Sequence, residues 1–258
     1  HENQDPVTVD GNTYSGKAAD LVAEVNGYQY ATLDAAMSEE ENGDTVTVLK
    51  DITASVGNGA ASANNAVRYS GGKTITVDFN GHTLTSNTAN AAIVVVDGAE
   101  SQSHVTLRNG TIVAGPNAYC TILTGETAQV TVENMALNNS KQYGNSIKAL
   151  NSSHIVLKDA VVANSQYGGG VEAAGGTVDI YNSTFRQSGY HDWNSMNVAA
   201  SGGTGVENIY SGKFTSENYG MYIFSSGGTI NVYGGTFAVT GDHALLKADI
   251  DSGSYPDG

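Results

Sequence analysis

One short phrase is written six times along this chain: His104-Val-Thr-Leu-Arg-Asn-Gly-Thr-Ile, Gln129-Val-Thr-Val-Glu-Asn-Met-Ala-Leu, His154-Ile-Val-Leu-Lys-Asp-Ala-Val-Val, Thr177-Val-Asp-Ile-Tyr-Asn-Ser-Thr-Phe, Val206-Glu-Asn-Ile-Tyr-Ser-Gly-Lys-Phe and Thr229-Ile-Asn-Val-Tyr-Gly-Gly-Thr-Phe. Aligned on Val105, Val130, Ile155, Val178, Glu207 and Ile230, the copies recur every 23 to 29 residues, and looser copies at Val46 and Ile75 extend the series toward the N-terminus. A unit of this length cannot bury its apolar side alone. It becomes stable by stacking on its neighbours, so the chain is a solenoid.

The kind of solenoid follows from what recurs. Each copy alternates, as in Val130-Thr131-Val132-Glu133, which sends apolar side chains to one face and polar ones to the other. Next comes Asn109, Asn134, Asp159 or Asn182, continued by Ser211 and Gly234. These residue types tolerate left-handed backbone and mark a tight corner. Three residues further on, Ile112, Leu137, Val162, Phe185, Phe214 and Phe237 re-enter the core. A second alternating segment follows, as in Ile122-Leu-Thr, Ile147-Lys-Ala, Val171-Glu-Ala, Val198-Ala-Ala, Tyr222-Ile-Phe and Leu245-Leu-Lys. No period has room for an ordinary crossover helix. The expected fold is all-β: a right-handed parallel β-helix solenoid of about eight coils, with ladders at ~4.8 Å spacing and a core roughly 35 Å long.

The expected organisation is an N-terminal segment with a capping helix over 1–44, the β-helix over 45–251, and the start of a linker or next unit over 252–258. The helix is read from Tyr30-Ala-Thr-Leu-Asp-Ala-Ala-Met-Ser-Glu-Glu, with Thr32 as N-cap and Leu33, Ala36 and Met37 at helical spacing. Such an element closes the open end of a solenoid.

The net charge of −15 disfavours a phosphate backbone or an anionic membrane as partner, so nucleic acid is excluded. No stretch approaches the ~18 apolar residues of a membrane span. The single cysteine, Cys120, lies in an apolar strand and reads as a small buried residue. His104 and His154 share a repeat position two coils apart, about 10 Å, too far to share Zn²⁺. His82 reads as a turn residue. No metal and no cofactor are expected.

At the N-terminal end, Val25-Asn-Gly-Tyr-Gln-Tyr-Ala-Thr-Leu-Asp-Ala-Ala, Gly43-Asp-Thr-Val-Thr-Val-Leu-Lys-Asp and Gly72-Lys-Thr-Ile-Thr-Val-Asp-Phe-Asn-Gly-His-Thr-Leu resemble the opening of pectate-lyase-like β-helix domains in surface proteins of Gram-positive, often gut-dwelling, bacteria. The repeats ending Gly-Gly-Thr-Phe are similar to the same group. The resemblance implies an extracellular, cell-surface or cell-wall-attached setting, a monomeric domain within a longer chain, and an adhesin-like role. It does not imply an activity.

Related β-helices include glycan-cleaving enzymes, so catalysis is weighed directly. A lyase on an acidic polysaccharide needs clustered cations, and the three arginines, Arg68, Arg108 and Arg186, stand in contexts that do not bring them together. A hydrolase needs two carboxylates at a set separation. The candidates are Asp179, Asp192 and Glu172, but Glu172 aligns with Lys148 as an outward ion pair. Catalytic residues are therefore not assigned.

The strongest local signal faces outward. One column of outward side chains runs Asp78, Arg108, Glu133, Lys158, Tyr181, Tyr210, Tyr233: four charges of alternating sign, then three tyrosines. Asp179, Asn208 and Asn231 stand two residues earlier on the same face. Aromatic groups beside amide and carboxylate acceptors suit a sugar. The one long insertion follows Phe185 and carries Tyr190, Asp192 and Trp193, the only tryptophan. Insertions in solenoids map to loops on a face and often bind. The expected function is an extracellular binding or display module recognising a glycan or host glycoprotein through Tyr181, Tyr210, Tyr233, Asp179, Asn208, Asn231, Tyr190, Asp192 and Trp193. The alternatives are a glycan-cleaving enzyme, a structural stalk, and a binder of a host protein such as an immunoglobulin.

Overall fold

The computed structural model describes residues 7–9, 12–14, 21–54, 65–86, 92–98, 102–140, 146–164, 170–188, 196–217, 221–225, 227–239 and 246–249. Three sheet walls wind around one core, and every pairing between successive turns is parallel. The first wall runs Thr45–Val48, Thr74–Asp78, the first halves of His104–Ala114 and Gln129–Asn139, His154–Lys158, Thr177–Tyr181, Val206–Ile209 and Thr229–Val232. The second runs from Ile52–Thr53 and Thr83–Ser86, through the second halves of the same two long strands, to Val161–Asn164, Ser183–Gln187, Gly212–Ser216 and Thr236–Val239. The third runs Asn65–Tyr69, Ala92–Asp97, Cys120–Gly125, Ile147–Leu150, Val171–Ala174, Met196–Ser201, Met221–Ser225 and Leu246–Asp249. The chain is thus a parallel β-solenoid.

The repeat alignment is the pairing register. Val105 pairs Val130, which pairs Ile155, which pairs Val178, which pairs Glu207, which pairs Ile230. Strand pairing continues for eight rungs on each wall, but among the described residues turns whose three walls all close around buried side chains number about five rather than eight. They span Thr74 to Ser201. Before them Ile52 is half-buried, and at the far end Ile230 and Phe237 are only half-buried and Val232 is exposed. Copies of a repeat can be counted in a sequence, whereas closure depends on which side chains all three walls bury.

The first corner explains the Asn column. Asn80, Asn109, Asn134, Asp159 and Asn182 all have φ between 46° and 59°, the left-handed conformation these side chains tolerate. In the last two turns the positive φ falls one residue later than expected, on Gly212 and Gly235 instead of Ser211 and Gly234. A glycine adopts it there without a Cβ penalty, and a Cβ on Gly212 would meet the Ser183 carbonyl oxygen at 2.6 Å. The third wall also departs from the expected column, by one residue and then by three. A bulge between Met196 and Val198 makes Ile223, not Tyr222, the partner of Val198, and Ala248 rather than Leu245 continues the column.

At the N-terminal end, helix α1 (Leu33–Ser38) has Thr32 as N-cap, its side chain accepting from the Ala35 amide at 3.2 Å, and buries Leu33, Ala36 and Met37. The edge of the first wall is covered by a different element. An antiparallel hairpin, Ala23–Val25 with Tyr28–Tyr30, pairs with Thr45–Val48. Its turn, Asn26-Gly27 with φ of 51° and 80°, is the Asn-Gly combination two-residue hairpins favour. Val7–Val9 and Asn12–Tyr14 form a separate antiparallel pair.

Cys120 is buried as expected, though outside the main core, in a small cluster with Ala92 and Val95 on the third wall. Burial pushes its thiol up to about 12. Iodoacetamide at pH 8 should therefore leave Cys120 unmodified in the folded protein and label it on unfolding, as read by mass. Rapid labelling of the native protein would contradict this placement.

Candidate functional site

The outer face of the first wall carries two adjacent columns near its corner with the second wall. Alternation sends Val178 and Ile180 inward, so Asp179 and Tyr181 point out, and the same holds for Asn208 with Tyr210 and Asn231 with Tyr233. Tyr181 and Tyr210 stack at 4.6 Å between centroids with 4° between planes. Tyr210 and Tyr233 stack at 5.1 Å and 10°. The three are 37 %, 39 % and 66 % exposed. Desolvation beside the flanking rings, and then the Asp179 carboxylate, hold the Tyr210 hydroxyl above the usual tyrosine range.

The neighbouring column is wired to itself. Asn231 Nδ2 donates to Asn208 Oδ1 at 2.8 Å, and Asn208 Nδ2 donates to Asp179 Oδ1 at 2.7 Å. The other carboxylate oxygen of Asp179 lies 2.8 Å from His154 Nε2. The sequence alone does not link His154 to this row. The pairing register does, by setting it one rung below Asp179 and two positions before Asp179's column. Toward the N-terminus the charged column begins with an Arg108–Asp78 ion pair at 2.8 Å, while Glu133 and Lys158 are adjacent in register and both exposed.

The structure does not bring the remaining candidates into one site. Glu172 lies on the third wall, held by Lys148 at 2.9 Å and by the Ser201 hydroxyl at 2.7 Å, away from Asp179 on the first. The arginines are distributed over three walls: Arg68 pairs with Asp97 at 2.6 Å on the third, Arg108 stands on the first, and Arg186 points out from the second. Among the described residues no group of three or more His, Cys, Asp or Glu side chains could hold a metal ion. His82 sits in its turn, 3.4 Å from Asp51. No helix among the described residues is long and apolar enough to cross a membrane.

Tyr190, Asp192 and Trp193 lie outside the described residues. Their insertion follows Ser188, which with Arg186, Asn138, Ala163 and Glu217 lines a cleft of about 310 Å³ on the second wall. Tyr181 and Ser188 stand at opposite ends of strand Ser183–Gln187. A surface that includes both the ladder and the root of the insertion therefore crosses the second wall over Thr184 and Arg186.

Four buried polar side chains on the second wall, Asn139, Asn164, Gln187 and Ser216, form an inward column that the alternating pattern did not disclose. Asn139 Nδ2 donates to the Tyr119 carbonyl at 3.0 Å, and the Ser146 hydroxyl donates to Asn164 Oδ1. These residues tie down the corner where connections of variable length leave for the third wall.

In comparisons with known proteins, no protein-family model, no curated protein and no solved structure matches this chain.

Proposed function

We propose that this chain is an extracellular binding and display module of a bacterial surface protein, and that it recognises a glycan or glycoprotein on the outer face of its first wall. The observation that carries the reading is the exposed three-tyrosine stack beside a hydrogen-bonded row of side chains on one sheet face. Tyrosines supply large amphipathic contact area at low entropy cost, and a site on strands is held more firmly than one on loops. The likeness of the N-terminal segments and the Gly-Gly-Thr-Phe repeats to pectate-lyase-like domains of Gram-positive surface proteins supports the extracellular, cell-wall-attached setting. Glycan cleavage has less support, because Asp179 and Glu172 stand on different walls and each is already engaged.

The reading is tested by screening the full chain against immobilised glycans and mucosal glycoproteins, immunoglobulins included, and then titrating the best binder against variants. Tyr210→Ala should weaken binding several-fold, about 1 kcal/mol or more for an aromatic contact at an interface, while Glu133→Ala on the charged half of the same column leaves it unchanged. A blank screen, or equal binding by wild type and Tyr210→Ala, overturns the proposal.

A further inference from the structure

We infer that the ligand is a neutral, unbranched glycan lying parallel to the solenoid axis, one sugar per rung, read by the edges of Tyr181, Tyr210 and Tyr233. This rests on the glycan reading above and adds the ligand's charge, shape and direction.

The ring geometry rules out the usual sugar-on-ring arrangement over most of the ladder. With centroids 4.6 and 5.1 Å apart and planes within 10°, each inner ring face is covered by the next tyrosine. A sugar ring cannot enter that gap. What remains for a ligand is a row of ring edges and phenol hydroxyls, one set per rung, plus the outer faces of Tyr181 and Tyr233. The amide row repeats in step with it. Asn208 and Asn231 each commit one N–H to the residue one rung below, so their planes are fixed and one N–H on each remains for a ligand. Groups held in place before binding lose little freedom on contact.

Two columns that repeat once per rung, side by side, give equivalent contacts to a ligand that repeats at the same interval. That interval is about 4.8 Å, the spacing of paired strands. An extended peptide advances about 3.3 Å per residue, and its same-facing side chains about twice that, so it drifts out of register within three rungs. An extended chain of equatorially linked six-membered sugar rings advances roughly one rung per residue; successive rings are turned over, so like groups recur every second rung, and every rung still meets a ring edge bearing hydroxyls. Charge then selects among such chains. The protein carries −15, and Asp179 anchors the amide row, so uronate or sulfated polymers are repelled. The row has three tyrosines and is succeeded by Lys158 and Glu133, so its capacity is about three sugars.

The test is calorimetric titration of the full chain with β-1,4-linked oligomers of glucose and of N-acetylglucosamine, one to six residues long, and with β-1,4-linked oligoglucuronates of the same lengths. Affinity for a neutral series should rise several-fold per residue up to three and then level off, with the uronate series weakest at every length. Tyr210→Ala should reduce the trimer to near the monomer's affinity, because it breaks the row in the middle. Length-independent affinity, tightest binding by the uronates, or no binding of either neutral series overturns the inference. If glycans from the broader screen still bind, the glycan reading survives it; if that screen is blank as well, both fall.

Discussion

Replacing Phe214 with alanine should destabilise the protein by roughly 3–5 kcal/mol, the range for removing a buried aromatic ring. Phe214 is fully buried and stacked between Phe185 and Phe237, at 4.8 Å from each. Its neighbours cannot close the gap, because their strands, Ser183–Gln187 and Thr236–Val239, are each pinned by ladder hydrogen bonds to Gly212–Ser216 between them. Coils of a solenoid couple mainly to adjacent coils, so the loss should appear as earlier unfolding of the C-terminal turns. Tyr210→Ala, four residues away in sequence but on the outside, should shift the denaturation midpoint far less. Equal shifts would contradict the inside and outside assignment of both columns.

Glu207→Gln should stabilise the protein at neutral pH, by roughly 1.4 kcal/mol for each pH unit between the unfolded-state and raised folded-state values, because the acid gains free energy by ionising in the unfolded chain and an amide does not. Glu207 occupies the inward position filled by Val105, Val130, Ile155, Val178 and Ile230 in the other copies. It is fully buried, and neither carboxylate oxygen has a hydrogen-bond partner. Burial holds its carboxyl well above the usual glutamate range; the Ala199 backbone amide offsets this in part without reaching bonding geometry, and the Glu172 carboxylate adds to it. An acid whose folded-state pKa is raised keeps its proton longer in the folded protein than in the unfolded one. The folded state then binds more protons above about pH 4.5, and stability falls as pH rises through that window toward the raised value. Glutamine has no proton to lose. Urea midpoints of wild type and Glu207→Gln from pH 4 to 8 should therefore separate as pH rises; a constant or narrowing gap would contradict the buried, unpartnered carboxylate.

The register of the walls was legible because it is written repeatedly: once Val105, Val130, Ile155 and Val178 are aligned, alternation fixes which residues face in, and the phenylalanine stack follows. Features that occur once were not. The Asn26-Gly27 hairpin carries a strong local turn signal but no second copy, and the covering of the first wall's edge was assigned to the helix instead. Glu207 stood in the apolar column of the alignment, yet only the packed neighbours reveal that nothing answers its charge. Asp179, Asn208 and Asn231 stand two residues before the tyrosines on the same strands, which alternation makes legible, but that they bond to one another depends on rotamers, which periodicity does not encode. The same holds for the tyrosines: their spacing predicts a column, and the coplanar stacking that hides their faces is a property of the side-chain torsions.

The central claim, that ligand contacts the chain along the tyrosine ladder, is tested most directly by NMR on protein carrying ¹³C-labelled tyrosine, titrated with the best-binding glycan. The chain has 14 tyrosines, and Tyr28 and Tyr119, 55 % and 53 % exposed, lie away from the ladder and serve as internal controls. The ring signals of Tyr181, Tyr210 and Tyr233 should shift together along one binding curve while those of Tyr28 and Tyr119 stay in place. Saturable binding that leaves the three ladder signals unmoved would contradict the account.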